Sequence, residues 1–365
     1  MKQKIALLVI VLIIIGGSIY VLEKQKQGPE SADNKESEQN NIVFSPPRAG
    51  ENGAPELVGL TGYINTDESI SLEKLRGKVV IVDFWTYTCI NCIRTLPHLV
   101  EWDRKYRDKG LVIIGVHAPE FDFEKKFENV QAAVKKYGIE YPVVLDNNYK
   151  TWRAYNNRHW PHKYVIDATG VIRYDHIGEG KYEETEKKIQ ELLAERGEEV
   201  DMPLSTVEDR TPKKVQTPEL YAGYEFNLPR GQNIGNDIGL QKGETVSYTL
   251  PERILQNKIY LEGSWTSNPG NLEAAADDAA IVIDFVAGAV NIVATSLVPS
   301  EMKVFLQNQY IAEEFAGDDV QISSGRSIVP VSSPLLYNVM RGEHGRYKLK
   351  LVVKKGFSFN AFTFG

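Results

Sequence analysis

The stretch from Lys78 to Cys92, KVVIVDFWTYTCINC, decides the fold. Its first half is a near-continuous run of β-branched and aromatic residues, the pattern of a strand buried on both faces of a sheet. Its second half interrupts that run with Thr86, Tyr87 and Thr88 and delivers Cys89 and Cys92 at the entrance of a segment whose periodicity predicts a helix near 93–109. At such a joint the unpaired N–H groups and the dipole of the helix favour negative charge. Cys89 is therefore predicted to be the nucleophilic thiolate, with a depressed pKa, and Cys92, one turn later and deeper, the resolving thiol. The chain has no other cysteine. A disulfide-stapled scaffold is thereby excluded, and all sulfur chemistry falls at this one place.

Working outward, short apolar runs alternate with helical periodicity. LVIIGVH (111–117) is followed by a predicted helix near 125–137, YPVVLD (141–146) by a short helix near 148–156, and a last helix is predicted near 183–196. This rhythm implies an α/β layer structure around a largely parallel sheet. The second helix sets Phe127, Val130, Val134 and Tyr137 on one face and stops at Gly138, as an αL cap requires. KYVIDAT (163–169) and VIRYDHI (171–177) are joined so tightly at Thr169–Gly170 that they predict an antiparallel hairpin, which makes the sheet mixed. This first domain is read as 53–198. Residues 199–218 are rich in proline and lack periodicity, as a domain linker does. Beyond them recur β-rich runs such as TVSYTL, AIVIDFV, RYKLKLVV and FSFNAFTF, which predict an all-β, jelly-roll-like sandwich over 219–365.

Upstream, Ile5–Leu22 is a run of 18 uncharged, mostly apolar residues preceded by Lys2 and Lys4. As a helix it reaches about 27 Å, enough for a bilayer core. Residues 1–22 are read as a transmembrane anchor or signal that exports the rest of the chain. Residues 23–52 are polar and read as a flexible tether. A length of 365 residues suggests two domains, and 42% hydrophobic with 25% charged residues is globular composition, which excludes bulk disorder and a many-span membrane protein. A net charge of −7 argues against nucleic acid as a partner.

The segment VDFWTYTCINC resembles the thioredoxin superfamily: Asp83 stands six residues before the first cysteine, Trp85 follows on the same strand, and Pro97 stands five after the second. IGVHAPE and YPVVLDNN look like exported reductases of the TlpA and ResA type. FWTYTCINC, GVHAPEFDFEK, LDNNYKTW, RHWPHKYVIDATG and the final AFTFG are similar to the extracytoplasmic portion of DipZ-type thiol:disulfide interchange proteins, over about 53–365. The resemblance implies a thioredoxin-like fold and a membrane-tethered enzyme that reduces or isomerises protein disulfides without a cofactor. It casts Asp83 as the buried acid that shuttles the Cys92 proton, Glu120 as an acid near the cysteines, and Pro161 as a cis proline facing them. Trp160, Pro161 and Trp85 are then the substrate-binding residues, with the residue-160 backbone pairing an extended substrate. DipZ proteins carry a multi-span electron-transferring domain whereas this chain has one candidate span, so electrons must come from a separate membrane donor of the CcdA/DsbD kind.

Four other readings compete. A static cysteine clip closes too few residues to stabilise the fold much. A zinc or copper carrier would combine the cysteines with His159 and His162. A cell-wall or carbohydrate-binding adaptor would place the main function in the β domain, with Trp265 either stacking on a sugar or packed in the core. A peroxidase reading lacks the upstream proline such sites use. The Ile90–Asn91 pair between the cysteines lacks the histidine of strong oxidants, which favours reductase or isomerase.

Overall fold

A computed structural model of the chain describes residues 53–365. The predicted anchor over 5–22 and tether over 23–52 lie outside the described residues. Among those described, no helix is long and apolar enough to cross a membrane.

The N-terminal part runs β1 (Gly62–Ile64), β2 (Val79–Trp85), α1 (Ile90–Tyr106), β3 (Leu111–His117), α2 (Phe127–Lys136), β4 (Val143–Leu145), α3 (Lys150–Ala154), β5 (His162–Ile166), β6 (Ile172–Ile177) and α4 (Tyr182–Glu195). The six strands form one sheet in the order β1-β4-β3-β2-β5-β6. β2, β3 and β4 are parallel, while β1, β5 and β6 run against their neighbours. The result is the mixed sheet of a thioredoxin-like fold, with the expected hairpin turning at Gly170 (φ +83°). The sequence did not signal β1, because Gly62–Ile64 is too short to show periodicity.

β2 sits in the middle and all seven of its residues are buried. Side chains alternate across a strand, and β2 divides the core accordingly. Val79, Ile81 and Trp85 pack with Leu99, Trp102, Tyr106, Ile189 and Leu193 under α1 and α4. Val80, Val82 and Phe84 face the other way, against Ile114, Trp152, Tyr155 and Tyr164. The same parity puts Asp83 on the α1 face, beneath the cysteines. α1 begins at Ile90, earlier than its periodicity predicts, because Cys89 itself is the extended N-cap residue (φ −79°, ψ 116°).

The segment 199–218 has no regular structure but is strapped onto α4 and α1. The Gln190 amide donates to the Met202 carbonyl at 2.9 Å, the Ser205 N–H to Glu186 Oε2 at 2.8 Å, and Lys105 Nζ to the Pro203 carbonyl at 2.7 Å.

The C-terminal part is β-rich and antiparallel, with its eleven strands in one hydrogen-bonded network. The 18-residue strand Ala279–Ser296 explains that continuity. It pairs with Leu335–Val353 along one edge; along the other it pairs first with Ile259–Ser267 and then with Phe357–Phe364. The network wraps one apolar core that includes Trp265, Phe285, Phe359 and Phe362. Three short helical segments here, Tyr224–Asn227, Leu228–Arg230 and Glu313–Phe315, carry no signal in the sequence.

Trp265 is fully buried and its indole N–H donates to the Glu262 carbonyl at 3.0 Å. It belongs to the core and offers no face to a sugar. Trp265→Ala is expected to lower the stability of the β-rich part by ~3–5 kcal/mol, measured by urea unfolding; a loss below about 1 kcal/mol would contradict this packing.

Candidate active site

Chain geometry delivers the two sulfurs to different depths. After β2 ends, Thr86–Thr88 make a tight turn in which the Cys89 N–H donates to the Thr86 carbonyl at 3.3 Å, and the Ile93 N–H then closes the first helical turn on the Cys89 carbonyl at 3.0 Å. Cys89 is half-buried at the mouth of α1, whereas Cys92 is buried; both are free thiols. Burial, reinforced by the adjacent Cys89, pushes the Cys92 thiol well above its ordinary value.

The antiparallel pairing of β2 with β5 brings a distant loop over these sulfurs. Its register sets Phe84 opposite His162 and Asp83 opposite Lys163, so Trp160 and Pro161, just before β5, lie beside Cys89. The Trp160–Pro161 peptide is cis. The Cys89 thiol donates a long hydrogen bond to the Trp160 carbonyl at 3.9 Å. The Trp160 indole N–H anchors the loop on the Ala118 carbonyl at 3.0 Å, and its ring packs on Trp152 at 4.4 Å. Trp160 is half exposed; Trp85 is not exposed at all. The Trp85 ring sets its edge against His117 at 5.2 Å and lies close over Gly115, where a Cβ would stand only 3.0 Å from the indole nitrogen. Trp85, expected on the substrate face, therefore forms the floor under the site, and burial is what removes it from contact with substrate.

Asp83 is buried on the Cys92 side, and its Oδ1 has no hydrogen-bond partner. Burial raises its carboxyl to about 7, with the Lys163 ammonium pulling the other way. Lys163, which the sequence reading did not single out, is fully buried and donates to the Gly178 carbonyl at 3.1 Å. Burial lowers its pKa, against the opposing pull of Asp83 and Cys92. Only the β2–β5 register reveals this pairing, since Lys163 follows Asp83 by 80 positions in the chain.

Two glutamates share the loop after β3. Glu124 is buried and faces the cysteine turn: Thr88 Oγ donates to its Oε1 at 2.5 Å, and the Glu120 and Phe121 N–H groups donate to its Oε2 at 2.6 and 2.8 Å. Burial raises its pKa against those donors. Glu120, the acid expected near the cysteines, turns instead toward the C-terminal part and takes a hydrogen bond from the Tyr221 hydroxyl at 2.8 Å. Burial, then Glu219 and Glu124, push its carboxyl up to about 8. Glu124 was missed because a DFEK tetrapeptide carries no sign of which glutamate folds inward.

The β-rich part closes one side of the site. Ile90 and Ile93 of α1 pack with Val293 and Leu336, and the Tyr87 hydroxyl donates to the Pro334 carbonyl at 3.1 Å. His162 is unsuited to the metal alternative. Its Nδ1 faces Asn157 Oδ1 and its Nε2 faces Asp175 Oδ2, both at 2.8 Å, so both ring nitrogens are already engaged by neighbouring side chains. Among the described residues no three metal-ligating side chains cluster.

Residues 52–175 match the family model described as AhpC/TSA family, and residues 217–365 the one described as Thioredoxin like C-terminal domain. The thiol-disulfide oxidoreductase ResA of Halalkalibacterium halodurans is 34% identical over 126 residues, which cover 34% of this chain and 68% of that protein. Together with the fold, these likenesses place the chain in the family of thioredoxin-like thiol-disulfide oxidoreductases, to which it belongs as an enzyme. Protein DipZ of Mycobacterium bovis is similar over a longer span: 43% identical over 320 residues, 86% of this chain and 43% of DipZ. The chain thus spans less than half the length of that relative. Among solved structures, a thiol-disulfide isomerase from Corynebacterium glutamicum aligns at 25% identity over 39% of this chain and 97% of that one, with a TM-score of 0.34.

The Asp83 environment makes stability depend on pH. The carboxyl ionises near pH 4 when unfolded and about 7 when folded, so the fold loses stability as pH rises between those values and nothing further above them. Asp83→Asn is expected to match the wild type near about pH 4 and to exceed it by roughly 1–4 kcal/mol above about pH 7.5. Urea unfolding at the two pH values measures this, and a variant less stable than wild type at the higher pH would refute it.

Proposed function

We propose that the chain is an exported, membrane-tethered reductase or isomerase of protein disulfides, with a redox domain over 53–198 and a jelly-roll-like domain over 219–365. The observation that carries this reading is the Cys89 sulfur at the mouth of α1, half exposed, beside the Trp160 carbonyl and the cis Pro161. In this reading an extended substrate pairs with the residue-160 backbone. The Cys89 thiolate attacks one substrate sulfur, the substrate S–S bond breaks, and the departing substrate thiolate takes a proton from solvent. The mixed disulfide is then resolved within the enzyme. Cys92 gives its proton to Asp83, a carboxylate whose pKa near neutrality suits a general base, and attacks the Cys89 sulfur. The second substrate sulfur leaves as a thiolate and takes up a proton, returned by Asp83 through solvent; two electrons have passed to the substrate, and Cys89–Cys92 remains as a disulfide. A separate membrane donor of the CcdA/DsbD kind would return the dithiol, and the apolar run over 5–22 would hold the enzyme beside it.

Cys89→Ser is expected to abolish reduction of a disulfide substrate, whereas Cys92→Ser should accumulate a stable mixed disulfide visible on a non-reducing gel. Equal turnover by wild type and Cys89→Ser would defeat the reading. Asp83→Asn is expected to slow resolution at neutral pH by roughly 10²-fold, a deficit that shrinks at alkaline pH where Cys92 ionises unaided. The potential of the pair should lie well below the about −120 mV of strong oxidants; a titration giving that value would reverse the direction.

A further inference from the structure

One loop ties the redox centre to both of its neighbours. Residues 118–124 take the Trp160 indole on the Ala118 carbonyl, the Thr88 hydroxyl on Glu124, and the Tyr221 hydroxyl on Glu120. Thr88 adjoins Cys89, and Trp160 precedes Pro161, so this loop holds the two segments that flank the reactive sulfur. Its third tie leaves the redox domain. Tyr221 is buried; its hydroxyl lies 2.8 Å from Glu120 Oε1 and 2.9 Å from Glu219 Oε2. A phenol has one hydrogen, so it can donate to only one of two carboxylates and must accept from the other. Both contacts are therefore bonds only when one of the two carboxyls is protonated. The ring is fixed as well. It stacks on Phe226, packs against Phe121, and lies under the Arg230 guanidinium at 4.2 Å.

We propose that Tyr221, supplied by the β-rich part, is a positioning residue of the redox centre: its hydroxyl bridges Glu120 and Glu219 through a shared proton and so holds loop 118–124, and with it Thr88 and the Trp160 carbonyl, in place around Cys89. The inference rests on the reading of Cys89 as the attacking sulfur. The charged and titratable groups facing the bridge are Glu124 on the same loop, Tyr149 before α3, Arg94 on α1, and Arg230 with Glu219 on the β-rich side. Glu219 raises the Glu120 carboxyl by repulsion, while the Tyr221 hydroxyl lowers it by donating to the ionised form. The two partners therefore act on Glu120 in opposite directions, which gives each a distinct signature in a pH profile.

The test uses the full chain with Cys92→Ser, so that Cys89 is the sole thiol, and follows its alkylation by iodoacetamide from about pH 5 to about pH 9. Ionisation of the bridge is expected to appear as a step in that profile. Glu219→Gln, an exposed substitution that leaves Tyr221 in place, should move the step down by about one pH unit; Tyr221→Phe, which removes one hydroxyl and keeps the ring, should move it up by a similar amount. Tyr221→Phe in the otherwise intact enzyme should also lower kcat/KM for a disulfide substrate about tenfold. If neither substitution moves the step, or both move it the same way, the proposal is overturned. Should Tyr221→Phe fail to unfold cooperatively, Glu219→Gln alone decides, and an unmoved step is again fatal. Failure of the functional reading would look different: a Cys92→Ser chain that alkylates with the expected profile yet never forms a mixed disulfide with substrate.

Discussion

The antiparallel pairing of β2 with β5 is the constraint on which the rest depends. The two strands lie side by side in the sheet, yet their ends come from opposite chemical neighbourhoods: β2 leads into the cysteine turn, and β5 follows the cis proline loop. Because they run in opposite directions, the exit of one is the entrance of the other, and the sulfur meets the Trp160 carbonyl without any long-range search. A shift of one residue would turn every side chain of β2 over. Asp83 would then leave the α1 face and Phe84 would take its place beneath Cys92. The register is held by apolar packing on both faces of the sheet, so the position of a polar pair is secured by hydrophobic burial around it.

That arrangement leaves a carboxyl and an ammonium in the interior without a close ion pair. Neither is stabilising in itself, since burying charge costs more than distant attraction returns. The carboxyl stays neutral over part of the physiological range, and the ammonium is satisfied by the Gly178 carbonyl instead. The buried, unpaired Asp83 carboxyl therefore costs the fold stability wherever it ionises.

How much could be read in the chain alone differs by the range of the interaction. The cysteine turn, the buried run VVIVDFW and the hairpin at Thr169–Gly170 are local patterns, and they place Cys89, Cys92 and Asp83 from the sequence alone. Periodicity starts the helix three residues late because Cys89 looks like the end of a loop and not like a cap; nothing in its side chain caps the helix. Lys163 and Glu124 escaped because their neighbours are settled by register and by a short 3-10 turn, neither of which has a sequence period. The resemblance casts Trp85 as a substrate-binding residue, whereas strand parity points it inward with Val79 and Ile81. The partner of Glu120 lies 101 residues away in the other part of the chain, and no pattern within a single domain encodes such a contact.

The strap formed by residues 199–218 bears on how the molecule comes apart. It is bound along α4 as far as Ser205 and joins the β-rich network again where the Thr217 N–H meets the Val286 carbonyl at 2.8 Å. Between these points Lys213, Lys214 and Val215 stand exposed. A protease that nicks the backbone there severs covalent continuity but leaves the ties at Ser205 and Thr217 in place, so the two fragments should still migrate as one particle and separate only when denatured.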